Sequence, residues 1–204
     1  MNVIVDYGMG NLKSVYNALC SLDQDVRVTS KPDDLSDAQR IILPGVGAFG
    51  DAMRELEERG LKKPLQNFLH SGKPFLGICL GLQLLFEKSE ENPESDGLGF
   101  FPGAIKRFDF ADLPGTKVPH MGWNTVMIQK NACPLTRFLD DETYFYFVHS
   151  FYAESDNCDH VLATTSYGID FASMLWKDNV YAAQFHPEKS QQGGLTLLRN
   201  FTEL

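Results

Sequence analysis

The first ninety residues alternate short apolar, β-branched runs with amphipathic helical patterns, and few folds accommodate that alternation. Residues 2–6 (NVIVD), 25–29 (DVRVT), 40–43 (RIIL) and 74–78 (PFLGI) read as strands, the third stopped by Pro44-Gly45. Between the first two, Leu12, Val15, Tyr16, Leu19 and Leu22 fall at helical spacing. Residues 51–59 and 64–69 also read as helices, and a further helix is expected over Leu80–Lys88, directly after the fourth strand. Strand, helix, strand in succession predicts a parallel sheet with helices on both faces.

The second half has a different texture. Residues 89–103 are rich in Gly, Pro and charge and read as a loop. Strand-like stretches follow at 105–110, 125–129, 144–148, 160–165, 172–176 and 180–184, then a closing helix near 194–202. These predict antiparallel strands that extend or flank the sheet. With no repeat, low-complexity tract or long linker, residues 1–204 read as one α/β domain of flavodoxin-like type. A chain of 204 residues with 43% apolar content can bury a sizeable core.

Charge and patterning exclude other classes. Lys plus Arg number 18 against 27 Asp plus Glu, and no basic run occurs, which argues against nucleic acid binding. No apolar run approaches the roughly 20 residues of a membrane span, and Asp6 comes too early for a signal peptide. Cys20, Cys79, Cys133 and Cys158 form no CxxC pair, so neither a metal site nor a disulfide framework is indicated. A reduced, cytoplasmic protein is expected.

The sharpest local feature is Lys73-Pro-Phe-Leu-Gly-Ile-Cys79-Leu-Gly-Leu-Gln. An apolar strand runs straight into a helix with a cysteine at the junction and glycines two residues to either side. That is the pattern of a nucleophile elbow, where a tight turn strains the nucleophile's backbone and demands small neighbours. A helix N-terminus beside the sulfur favours thiolate over thiol, and the Leu80 N–H would face a developing oxyanion. A buried apolar cysteine at a strand end fits the same local sequence.

A thiolate nucleophile needs a base and a group to orient it. The strand at 180–184 leads to His186-Pro187-Glu188, which alone reads more readily as a surface turn. In a parallel α/β sheet, however, sites collect at the carboxyl ends of strands, where both Cys79 and His186 are expected. Pro44-Gly45-Val46-Gly47 follows a third strand end, and its glycines let a peptide unit turn an N–H inward.

P-G-V-G, G-I-C-L-G-L-Q and F-H-P-E-K-S, in that order, resemble the class I (triad) glutamine amidotransferases over nearly the whole chain. Four further stretches are similar to the glutaminase-subunit branch that serves imidazole glycerol phosphate synthases of histidine biosynthesis. They are D-Y-G-M-G-N-L-K-S, P-G-V-G-A-F-G-D-A-M, P-H-M-G-W-N and Y-F-V-H-S-F-Y, the third being the most discriminating. The resemblance implies a Cys79–His186–Glu188 triad that hydrolyses glutamine through a thioester, without a cofactor. It implies an oxyanion hole from Leu80, Val46 and Gly47. Glutamine would be held by Gly45, Gly47, Gln83, His149, Ser150 and Phe151. It implies a partner, a TIM-barrel cyclase subunit that receives the ammonia, with Asn11, His120, Met121, Trp123, Asn124, Tyr146 and Lys189 at the partner interface and ammonia passage. If the Val46 peptide must rotate to complete the oxyanion hole, the free subunit is expected to be a poor glutaminase. The chain ends soon after H-P-E-K-S, so no fused synthase domain is expected. The rival readings are another amidase on this scaffold and an inactive regulatory relative.

Overall fold

In the first strand and its neighbours, alternate residues face opposite helical layers. The computed structural model describes residues 1–111, 115–130 and 132–204. The parallel half comprises β1 (Asn2–Val5), α1 (Leu12–Cys20), β2 (Val26–Thr29), α2 (Pro32–Asp37), β3 (Arg40–Gly45), α3 (Phe49–Glu58), α4 (Lys62–Leu69), β4 (Phe75–Cys79) and α5 (Leu80–Gln83). Val3, Val5, Ile41, Leu43 and Phe75 pack with Ala52, Leu56, Leu65 and Phe68 of α3 and α4. Ile4, Ile42, Leu76 and Ile78 point the other way, to Val15 and Leu19 of α1 and to Leu197, Leu198 and Phe201 of the last helix. The period-2 alternation of β-strands thus builds a three-layer sandwich, with helices on both faces as the alternation predicted.

The remainder comprises β5 (Phe86–Ser89), β6 (Phe101–Arg107), β7 (His120–Ile128), β8 (Thr143–His149), β9 (Phe151–Ser155), β10 (Val161–Tyr167), β11 (Ile169–Lys177), β12 (Val180–Ala183) and α6 (Gln191–Thr202). The sheet order is β2-β1-β3-β4-β12-β11-β10-β7-β8, with β5, β6 and β9 forming a branch off β11. The first five in that order are parallel; β11, β10, β7 and β8 continue antiparallel. The expected antiparallel extension is present.

Three local expectations fail for identifiable reasons. Pro44 does not stop β3: the strand runs on to Gly45, paired as Pro44↔Ile78 and Gly45↔Cys79. The ladder from β1 has already ended at Ile42, so the missing proline N–H removes no ladder bond on that side. The helix expected over 80–88 stops after Gln83, because Leu84, Leu85 and Phe86 are taken by the core and their carbonyls accept N–H bonds from residues 98–101. The chain then re-enters a sheet as β5, pairing with β6 inside the stretch expected to be loop. The strand expected at 105–110 lies earlier, at 101–107, where it pairs with β5 and β9. Helix α2 and strand β9 were not anticipated.

What matters for the site is the adjacency of β3, β4 and β12. Their carboxyl ends lie side by side, with Ala183 opposite Ile78 and Gly45 opposite Cys79.

Candidate active site

Cys79 ends β4 in a backbone conformation (φ 55°, ψ −108°) that L-residues avoid. The flanking glycines explain how the turn is made. A Cβ on Gly81 would lie 1.8 Å from the Leu43 carbonyl oxygen, and one on Gly77 would lie 2.7 Å from the Gly81 oxygen. No other residue fits either place without displacing backbone. The elbow inferred from G-x-C-x-G is therefore dictated by packing between β3, β4 and α5. Helix α5 is barely one turn, so what it offers at Cys79 is the first N–H groups of that turn rather than a long dipole.

From the neighbouring strand, β12, the chain runs through Gln184 and Phe185 to His186. The His186 Nδ1–H donates to Glu188 Oε1 at 2.8 Å, and both side chains are almost fully buried. His186 Nε2 is buried and has no hydrogen-bond partner among the described residues. Burial opposes charge on this imidazole, yet the Cys79 sulfur and the Glu188 carboxylate beside it outweigh burial and raise its pKa to about 9. The structure thus brings together Cys79, His186 and Glu188 from opposite ends of the sequence.

Two residues not anticipated as part of the site hold it in place. Gln184, wholly buried, donates to the Cys79 sulfur at 3.8 Å and accepts from Gln83 at 3.2 Å. Ser190 Oγ donates to the His186 carbonyl at 2.6 Å and accepts from the Tyr146 N–H at 3.0 Å, tying the His-Pro-Glu turn to β8. Both were in plain view, beside F-H-P-E-K-S, but neither type is itself reactive.

A cavity of about 380 Å³ opens over the sulfur. Of the residues assigned to substrate or oxyanion from sequence, Val46, Gly47, Leu80, Gln83, His149, Ser150 and Phe151 line it. Gly45 does not line it, and lies beneath. A residue that sequence reasoning missed, Glu91, also lines it. Its Oε2 accepts from the Phe49 N–H at 2.7 Å, at the start of α3, which leaves an acidic group on the cavity wall.

The residues assigned to an interface divide. Along β7, Met121 and Trp123 are exposed at 60% and 45%. Trp123 meets Tyr146 edge-on across the β7–β8 pair, and Lys189 lies 5.8 Å over the Tyr146 ring. Tyr144, one pleat along β8, is 60% exposed. Asn11 is exposed at the start of α1, capping the Ser14 N–H. His120 and Asn124 turn the other way. The His149 Nδ1–H must donate to the Phe151 carbonyl (2.8 Å), which leaves His149 Nε2 to accept from His120 Nδ1–H (2.9 Å) and His120 Nε2 to accept from Asn124 Nδ2 (3.2 Å). One tautomer pattern satisfies the row, with both rings neutral. Burial lowers the pKa of His120 to about 4 and of His149 to about 3.

A flavodoxin-like three-layer sheet with a strained cysteine and a histidine–carboxylate pair on adjacent strand ends has the arrangement of a thiol nucleophile beside a general base. The family model described as "Glutamine amidotransferase class-I" matches residues 3–204, and the chain belongs to that family. Within it, the chain is 52% identical over 198 residues to "Imidazole glycerol phosphate synthase subunit HisH" of Desulfitobacterium hafniense, covering 97% of this chain and 92% of that protein. It is 50% identical over 204 residues to the protein of the same name in Methanothermobacter thermautotrophicus, covering 100% and 98%. A PurLQS structure from Thermotoga maritima matches with a TM-score of 0.78 at 19% identity, over 99% of this chain and 97% of that one, a likeness of fold.

Proposed function

We propose that this chain is the glutaminase subunit of an imidazole glycerol phosphate synthase, acting in histidine biosynthesis. The observation that carries the reading is full-length identity near 50% to subunits of that name in a chain whose Cys79, His186 and Glu188 converge. With a pKa near 9, His186 holds on Nε2 the proton that Cys79 gives up, and the sulfur attacks the side-chain amide carbon of glutamine. The Leu80 N–H and one from the 45–47 segment hold the oxyanion, each such donor being worth about 3–4 kcal/mol of barrier. The imidazolium returns the proton to the departing ammonia, and water then cleaves the γ-glutamyl thioester to glutamate. Glu91 is suited to the substrate's ammonium group; Gln83 and the backbone of His149, Ser150 and Phe151 are suited to the rest of its amino-acid end.

Ammonia must reach its acceptor before it is protonated, which calls for a docked partner. We assign that partner as the cyclase subunit, a TIM barrel that makes imidazole glycerol phosphate and the aminoimidazole carboxamide ribonucleotide. Exposed Met121, Trp123 and Tyr144, with half-buried Tyr146 among them, present an apolar and aromatic face beside the site, of the composition that protein interfaces favour, with Lys189 over the Tyr146 ring. Among the described residues no helix is long and apolar enough to cross a membrane. We place the complex in the cytoplasm.

The test is glutaminase activity of the purified chain, alone and with the cyclase subunit plus imidazole glycerol phosphate, beside Cys79→Ala. The expected result is strong activation by the partner and ligand that vanishes in the variant. Full activity of the chain alone would retain the triad and remove the gating of the 45–47 segment. Silence of an assembled, ligand-bound complex would remove the enzyme reading.

A further inference from the structure

Tyr7 is a polar side chain with nothing to bond. It lies just past β1, is completely buried, and its hydroxyl has no hydrogen-bond partner among the described residues. Burial, and to a lesser degree the nearby Cys79, push its pKa far above the ordinary tyrosine value, so it remains a neutral O–H. A phenylalanine would fill the same space without stranding an oxygen, and a stranded buried oxygen calls for an explanation.

Its position is specific. Strand β3 pairs with β1 only as far as Ile42, but continues against β4 through Gly45. The last residues of β3 therefore have an open edge on the β1 side, and Pro44 brings no N–H to it. The Tyr7 oxygen fills the space over Gly45: a Cβ there would lie 2.1 Å from that oxygen and 3.1 Å from Leu80 Cβ. The hydroxyl thus touches the oxyanion segment from the core side, while Val46 and Gly47 line the cavity.

We propose that Tyr7 is a positioning residue for that segment. Its hydroxyl supplies the hydrogen bond that holds the 45–47 backbone once one of its N–H groups has turned toward the cavity. A trans peptide carries N–H and C=O on opposite sides, so an N–H turned to the cavity sends its carbonyl toward the core, where the Tyr7 O–H can donate to it. In the present structure the hydroxyl is unsatisfied, so a backbone arrangement that offers it a carbonyl gains relative to this one. The proposal rests on the glutaminase reading above, since the segment binds an oxyanion only if Cys79 attacks an amide.

The experiment is Tyr7→Phe, which deletes one oxygen, assayed beside wild type in complex with the cyclase subunit and imidazole glycerol phosphate. We expect kcat to fall about tenfold while KM for glutamine stays within about twofold, an interaction lost only in the transition state. Alkylation of Cys79 by iodoacetamide should keep its rate, because the triad is untouched, and the thermal midpoint of the free subunit should not drop. With wild type active, a kcat within about twofold of it overturns the proposal. So does a joint fall of kcat, alkylation rate and thermal midpoint, which would make the hydroxyl a structural group. A wild-type complex with no glutaminase activity overturns the functional reading and this proposal together.

Discussion

His186 and His149 are both buried and lie close enough to feel each other's charge, yet they treat a proton in opposite ways. His186 is flanked by Cys79 and Glu188, and its pKa rises to about 9 in spite of burial. His149 has His120 on one nitrogen and the Phe151 carbonyl on the other, and its pKa falls to about 3. Burial pushes both down; the charge of the partners decides where each ends. One histidine is built to move a proton. The other pair is built never to take one, and its fixed tautomers make it a rigid strut between Asn124 on β7 and the Phe151 carbonyl on the cavity wall.

The contrast can be broken most severely at Cys79. In Cys79→Ala, glutaminase activity of the complex should fall about 10⁴-fold or more, and NMR titration should find the His186 pKa well below about 9. A His186 pKa that stays put would mean that Cys79 is not what raises it. Next in size is Glu188→Gln, which keeps the contact but makes it neutral, bringing His186 nearer to the condition of His149. Activity should drop about 10²-fold or more with little change in KM, read by steady-state kinetics. A variant with wild-type kcat would show that Glu188 does not orient the base.

The smallest effect is on stability and has opposite signs at the two sites. His186 binds its proton more tightly folded, at about 9, than its ordinary 6.5. The stability it lends is whole below about 6.5 and fades as pH rises toward about 9. His120 and His149 are depressed, so they resist folding as pH falls from 6.5 toward about 4 and about 3. Urea midpoints should fall on both flanks of neutrality. Glu188→Gln should flatten the alkaline flank and leave the acid one alone. His120→Phe, which retains a ring stacked between Phe147 and Tyr167, should flatten the acid flank instead. Identical profiles for wild type and both variants would remove the contrast.

The convergence of Cys79, His186 and Glu188 was legible because the groups of the proposed triad leave marks in sequence: a cysteine between two glycines, and a histidine and carboxylate bracketing a proline at a strand end. The three-layer sandwich was legible from alternation alone. Other features left no such mark. Leu84-Leu85-Phe86 satisfies helix and buried strand equally; in the fold Leu84 and Leu85 are buried in a turn and Phe86 opens β5. Helix α2 has one buried apolar residue, Leu35, in six, too few to set a period. Strand β9 follows His149 after one residue, so its pattern merged with that of β8. Glu91 sits in a charged loop where any acidic residue looks like solvent dressing, and its assignment to the cavity wall depends on its bond to the Phe49 N–H. The motif that contains His120 and Met121 assigned both to the interface and ammonia passage without separating them; the pleat of β7 does, sending His120 inward beside exposed Met121.

The parallel pairing of β12 with β4 also sets an order of events during synthesis. β12 is laid between β4 and β11, with Val180 beside Phe75, and is made more than a hundred residues after the elbow (the separation of 79 and 186). A nascent chain that has emerged as far as α5 holds the cysteine but no base, and joining the two is a long-range contact of the slow-forming kind. On the triad proposed above, the thiol has no base while the chain is still on the ribosome, and hydrolysis of the cell's free glutamine waits until residues 180–188 have emerged and the last strand of the parallel half has slotted into place.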